Sequence, residues 1–228
     1  MKSHSILAAV LALAGATSAN ALTVANFGAY TLSYDETSSF TFVDFTFTGG
    51  GGSTGFGWNV DTSVNVISFG AATPASFTLP SFTITANPGW TLSGPVGGFL
   101  GNLVFNEVGA GAATGASASG MVSIDGGPAA VFGGPLTKVS TTTVPGYTGG
   151  YYEGNDSVLV GSFSTFSFTG GSLALSAGGG TFSSILGQAQ NELRYGLIAT
   201  PVPEPETAAL LLAGLLTLGS LARRRSAG

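Results

Sequence analysis

Cysteine is absent from this 228-residue chain, and its only histidine is His4. The first absence excludes disulfides as the source of stability in an oxidising compartment. Because His4 falls in a removable leader, the two together exclude Cys-His and Ser-His-Asp catalysis, and every zinc site built on imidazole or thiolate. A Ser-Lys nucleophile pair would have to use Lys138, whose setting in PLTKVSTTT reads as a solvated strand or loop.

Charge is scarce as well, with Asp, Glu, Lys and Arg making up 7% of the chain. Between Leu22 and Thr200 the bases are Lys138 and Arg194. They face Asp35, Glu36, Asp44, Asp61, Glu107, Asp125, Glu153, Asp156 and Glu192, so two bases against nine acids leave −7. No basic patch is available to neutralise phosphates, which excludes nucleic acid and makes anionic lipid an unpromising partner.

What the chain does have is glycine, at 37 residues, with aromatics at 11% and a mean hydropathy of +0.43. Apolar content at that level packs a core. The first 21 residues, MKSHSILAAVLALAGATSANA, have the three parts of a secretory signal peptide. Lys2 is basic, Ile6 to Ala16 is apolar, and Ala19-Asn20-Ala21 is a small-x-small site for signal peptidase. The mature start is expected at Leu22, and the protein is expected to be exported.

From there to Thr200 the pattern is strands between glycine-rich turns. TVANFGAYTL, SSFTFVDFTFTG, FGWNVDTSVNVISF, ASFTLPSFTITA, GFLGNLVFNEV, ASASGMVSI, SVLVGSFSTFSFTG, SLALSA and ELRYGLIAT carry β-branched or aromatic residues with period-2 tendencies. Gly49 to Gly52, Gly97-Gly98, Gly126-Gly127-Pro128, Gly133-Gly134-Pro135 and Gly178 to Gly180 punctuate them. Residues 22–200 are therefore expected to form one all-β domain, an antiparallel β-sandwich or jelly roll. Ser183 to Arg194 could instead be a short helix, with Ile185, Leu186, Ala189 and Leu193 on one face. The phenylalanine alternation slips between Phe42 and Phe45, where a β-bulge at Val43-Asp44 would return the rings to one side. Both faces being buried, with no bulge, fits as well. Phe42 to Gly50 and Phe163 to Gly171 share the pattern F-x-x-F-[TS]-F-T-G-G, for which chance in a Phe/Thr/Gly-rich chain is the simpler account.

Reactive groups are few. Paired carboxylates could still hydrolyse glycosides, and Trp58, Asn59 and Asp61, joined by Trp90, form the most suggestive sugar-site cluster. Such tryptophans are more often core. Calcium is the most plausible metal, and Glu153 and Asp156 in EGND, with Asp35-Glu36, are the candidate ligands, though no calcium-loop motif occurs. The expectation is a protein that is not an enzyme and needs no cofactor.

The C-terminal segment is the most specific part. Pro203-Glu204-Pro205 precedes an apolar stretch over 207–222, followed by Arg223, Arg224 and Arg225. A 16-residue helix spans roughly 24 Å, short of the ~30 Å hydrocarbon core, so insertion would draw on the flanking Pro-Glu and the arginine stems. A core helix of the domain is the alternative. Arginines right after an apolar helix fit a stop-transfer element held on the cytoplasmic side.

In order, spacing and position, residues 201–228 resemble the PEP-CTERM sorting signal of exopolysaccharide-producing Gram-negative bacteria. The resemblance implies Pro203, Glu204 and Pro205 as the recognition element for an exosortase. It implies Arg223, Arg224 and Arg225 as the membrane-retention signal on a C-terminal transmembrane helix. The precursor would sit transiently in the inner membrane and then move to the cell surface or extracellular matrix. The function so implied is a structural or adhesive role in the exopolysaccharide matrix, with exopolysaccharide as a possible partner. A glycan-processing enzyme using paired carboxylates and a calcium-dependent adhesion module are the alternatives.

Overall fold

Alternation of apolar and polar residues builds the domain strand by strand. The computed structural model describes residues 22–37, 39–43, 52–188, 192–202 and 210–216. Among these the strands are β1 (Thr23–Asn26), β2 (Tyr30–Tyr34), β3 (Phe40–Val43), β4 (Ser53–Val60), β5 (Asn65–Thr78), β6 (Phe82–Ala86) and β7 (Trp90–Val108). They continue with β8 (Ala113–Ile124), β9 (Ala130–Pro135), β10 (Thr137–Val144), β11 (Tyr147–Val158), β12 (Ser162–Phe163), β13 (Thr165–Leu186) and β14 (Glu192–Pro201). In β2, Tyr30, Leu32 and Tyr34 are buried while Thr31 and Ser33 turn toward the other face, as a two-residue period requires.

All strand pairs are antiparallel, and hydrogen bonding joins them in one sheet of order β1-β2-β6-β13-β7-β14-β4-β3, with β5, β8, β9, β10, β11 and β12 branching from it. The sheet curls so that its ends meet. β2 and β3 lie near opposite ends of that order, yet Tyr34 stacks on Phe42 with ring centroids 4.5 Å apart. Phe56 and Trp58 of β4 meet Phe82 of β6 at 5.1 and 5.6 Å. The expected all-β antiparallel architecture is present, but as one branched, curled sheet in place of the two separate sheets of a sandwich.

Glycine explains that difference. Gly97-Gly98, Gly133-Gly134 and Gly178 to Gly180 were expected to end strands, and instead lie inside β7, β9 and β13. The clearest case is the last. Gly179 and Gly180 have φ of +68° and +60°, and a Cβ on Gly179 would overlap the Gly111 carbonyl oxygen. The β13–β5 register shifts there, between Ala177 and Gly179 and again between Gly179 and Ser183. On one side of this kink β13 pairs with β8 up to Gly178, and on the other it pairs with β7 from Phe182. A long strand bent at glycine can thus serve two parts of a curled sheet.

Further expectations are settled locally. Ser183–Leu186 belong to β13 and Glu192–Arg194 to β14, so the helix considered for 183–194 gives way to strand pairing. Phe40 is buried, Phe42 packs beside Trp58, and the proposed bulge involves Asp44, which lies outside the described residues with Phe45 and Phe47. Phe163, Phe166 and Phe168 of the second phenylalanine motif are all buried.

Only part of the tail is described. Helix is described over residues 210–216, about 10 Å long, and the rest of 207–222 lies outside the described residues. Among the described residues no helix is long and apolar enough to cross a membrane. Nor is this a core helix of the domain, since Leu210, Leu211, Leu212, Leu215 and Leu216 are all exposed.

Candidate functional site

The sequence points first to the acids, and the fold occupies three of them with its own backbone. Asp61 accepts a hydrogen bond from the Ser63 N–H at 2.7 Å, which holds its carboxyl below the usual range. Asp125, at the end of β8 with a φ of 49°, accepts from the Thr165 and Ser164 N–H groups at 2.7 and 2.8 Å, and is held low by them in that order. Asp156 accepts from Gly133 N at 2.6 Å and from Ser157 N at 2.8 Å, tying β11 to the free edge of β9. That carboxylate is one of the residues considered for calcium. Glu153 is half-buried three residues away on the same strand, hence on its opposite face. Among the described residues no three His, Cys, Asp or Glu side chains cluster to hold a metal.

Of the two readings of the tryptophans, the structure gives the core one. Trp58 is fully buried, and its indole lies edge-on to Tyr34, Phe42, Phe56 and Tyr195 at centroid distances of 5.9, 5.7, 5.6 and 6.1 Å. It cannot stack on a sugar. Asp61 stands exposed beyond the end of the same strand, so the two do not converge on a cleft. Trp90 is partly buried against the core, where β7 begins.

One polar cluster escapes sequence reading altogether. Lys138 lies on a strand and is exposed, yet its Nζ reaches the buried Glu107 Oε1 at 2.5 Å and sits 4.5 Å from the Phe105 ring centroid. Thr114 Oγ1 donates to the same carboxylate oxygen at 2.8 Å, and the Tyr152 hydroxyl donates to the Thr114 carbonyl at 2.6 Å. Burial pushes the Tyr152 hydroxyl pKa up. The pair joins β7 to β10 across β11. No sequence signal links residues 31 apart on non-adjacent strands. An inward-pointing lysine and the register shift between Ser140 and Thr142 also blunt the exposed edge of β10 against pairing with other chains.

The outer side of the same three strands is an open groove of about 930 Å³. Its lining includes Asn102, Asn106, Thr141, Thr142, Tyr147, Tyr151 and Gln188, with no charged side chain. The Tyr147 hydroxyl donates to Asn106 Oδ1 at 2.8 Å, and its ring lies over Gly149, where a Cβ would collide with it. The period-2 spacing in YTGGY was the available clue, since it puts Tyr147 and Tyr151 on one face. A second, smaller pocket of about 440 Å³ between β9 and β11 has apolar walls that include Phe132, Phe168 and Tyr195.

The folded body stops at the sorting segment. β14 pairs through Pro201 with Trp90, and the Val202 N–H donates to the Gly89 carbonyl at 2.8 Å. The next residues, Pro203, Glu204 and Pro205, lie outside the described residues, as do Arg223, Arg224, Arg225 and the signal-peptide residues Ala19 and Ala21. Residues 201–226 match the model of the PEP-CTERM protein-sorting motif. The chain is therefore a PEP-CTERM sorting domain-containing protein, bearing the motif of exported proteins targeted to exosortase. No curated protein and no solved structure matches it.

Proposed function

We propose that the β domain serves a structural or adhesive role, without catalysis, in the exopolysaccharide matrix after exosortase processing. In this reading signal peptidase removes residues 1–21, and the apolar tail with Arg223, Arg224 and Arg225 holds the precursor in the inner membrane. Cleavage near Pro203-Glu204-Pro205 then lets the body move outward.

The sorting motif is the observation that carries this reading. The body supports it in two ways. Asp61, Asp125 and Asp156 hold backbone N–H groups, and Glu107 holds Lys138, so the fold employs these acids structurally. The outer surface offers hydroxyls, amides and tyrosines with little charge, a surface that hydrogen-bonds sugars readily.

Fractionation of the native host tests the proposal. Antibody to the β domain should find the protein in the matrix or cell-surface fraction of the wild type, and in the inner membrane of a strain lacking its exosortase. Retention in the inner membrane of both strains would sink it.

A further inference from the structure

We propose that the groove over β7, β10 and β11 is a binding site for one strand of a neutral polysaccharide. This rests on the matrix reading and names the surface and ligand class that the reading leaves open.

Three features of the groove go together. The first is a ring held in place. Tyr147 lies along its own strand over Gly149 and is fixed at its tip by Asn106, which itself donates to Ser184 Oγ at 3.4 Å. A ring locked in this way meets a ligand without first losing rotamer freedom, and the C–H face of a hexose stacks on aromatic rings. Tyr151 lies four residues on, on the same side of the strand, with its Cα roughly 14 Å from that of Tyr147. The Tyr147 ring reaches over Gly149 toward it, so the two aromatic side chains follow one another along the groove, which suits an extended chain better than a monosaccharide.

The second feature is at the lip. Between the Leu103–Tyr152 and Leu100–Gly154 pairs the β7–β11 register shifts, with Gly101 and Asn102 opposing Glu153 alone. Asn102 there adopts a φ of 58°, in the left-handed region that few side chains other than Asn and Asp tolerate. Irregularities of this kind re-aim a side chain. Here the result is an exposed amide at the groove, matched by the exposed Gln188. Each amide carries both donor and acceptor, which is what a sugar hydroxyl needs.

The third feature is charge. The lining contains none, while Glu107 and Lys138 lie behind it, paired with each other. An anionic polysaccharide would find no cation in the groove and would approach a domain carrying −7 between Leu22 and Thr200. A neutral strand meets neither problem. The groove is open to solvent, which admits the interior of a polymer where a closed pocket would demand a chain end.

Affinity electrophoresis of the full-length chain in mild detergent tests this. The gels contain hydroxyethyl cellulose, galactomannan, dextran, alginate or the exopolysaccharide purified from the native host. The proposal expects retardation by at least one neutral polymer and none by alginate. In that polymer Tyr151→Ala and Gln188→Ala should each weaken binding by up to about tenfold, the size of one lost stacking or amide contact. Ser119→Ala, on the exposed side of β8, should leave binding unchanged. Thermal melting identifies any variant that fails to fold, and Gln188 is exposed, so its substitution leaves the core intact. No retardation in any gel would overturn the proposal, as would retardation by alginate alone or equal retardation of all variants. Matrix localisation with no retardation would remove this site and leave the matrix reading standing.

Discussion

Eight residues separate strand β14 from the helix over 210–216, and the two use the same apolar vocabulary, yet the fold treats them oppositely. Leu193, Tyr195, Leu197 and Ala199 are at most 7% exposed, each on the inward face of a strand paired on both sides. Leu210, Leu211, Leu212, Leu215 and Leu216 are at least 59% exposed. Burial of apolar area stabilises a fold at roughly 25 cal/mol per Å², so β14 is part of what holds the domain together. The helix contributes nothing of that kind to the body. Its exposed leucines fit the proposed reading, in which this segment holds the precursor in the membrane and is then removed.

Substitutions can break or sharpen that contrast. Trp58→Ala empties the aromatic cluster that joins the two ends of the sheet, and should cost about 3–5 kcal/mol in chemical denaturation. A loss below about 1 kcal/mol would mean that the curled sheet closes by other means. Glu107→Ala strips Lys138 and Thr114 of their shared acceptor and should cost about 1–3 kcal/mol, with Lys138→Met costing less because that side chain is one-third exposed. Equal costs would place the energy in the lysine stem on Phe105 rather than in the buried acid.

A smaller effect concerns pH. Backbone N–H groups hold the carboxyls of Asp125 and Asp61 below their ordinary value, so each contributes stability above the unfolded carboxylate pKa of about 4. That stability is lost as pH falls through the depressed native values, because the unfolded chain then binds more protons. The melting temperature should therefore drop below about pH 4, and Asp125→Ala should flatten the drop. An unchanged acid limb in the variant would contradict the assignment. The smallest effect should come from ending the chain after Val202: stability should stay within about 0.5 kcal/mol, since no described leucine of the tail packs on the body. A larger loss would show that the tail helix belongs to the fold.

How much of this was legible in the sequence depends on distance along the chain. The strands of the β1–β2 hairpin, β6, β8 and β14 could be read, because side-chain alternation is a local signal. So could the sorting motif, whose parts lie within 26 residues. The curl of the sheet could not, because a glycine in a strand reads the same whether it ends the strand or bends it. Gly179 is distinguished only by the Gly111 carbonyl pressed against it, 68 residues away. β9 and β10 were missed because their sequences, AVFGGP and TKVSTTTV, show little apolar alternation and lie at free edges. The pairing of Lys138 with Glu107 was hidden for the same reason. Trp58 was the most suggestive sugar-site candidate only because Asp61 is its near neighbour in sequence, whereas the strand ends between them and the core role, the more frequent one for such a tryptophan, is the one it takes.

The most direct test of the whole account is the intact mass of the mature protein from its native host, measured beside a strain lacking the exosortase. The account predicts a chain beginning at Leu22 and ending near Pro203 to Glu206 only where the enzyme is present. A chain that keeps Arg223, Arg224 and Arg225 in both strains would contradict it, and would make the tail a permanent part of the protein.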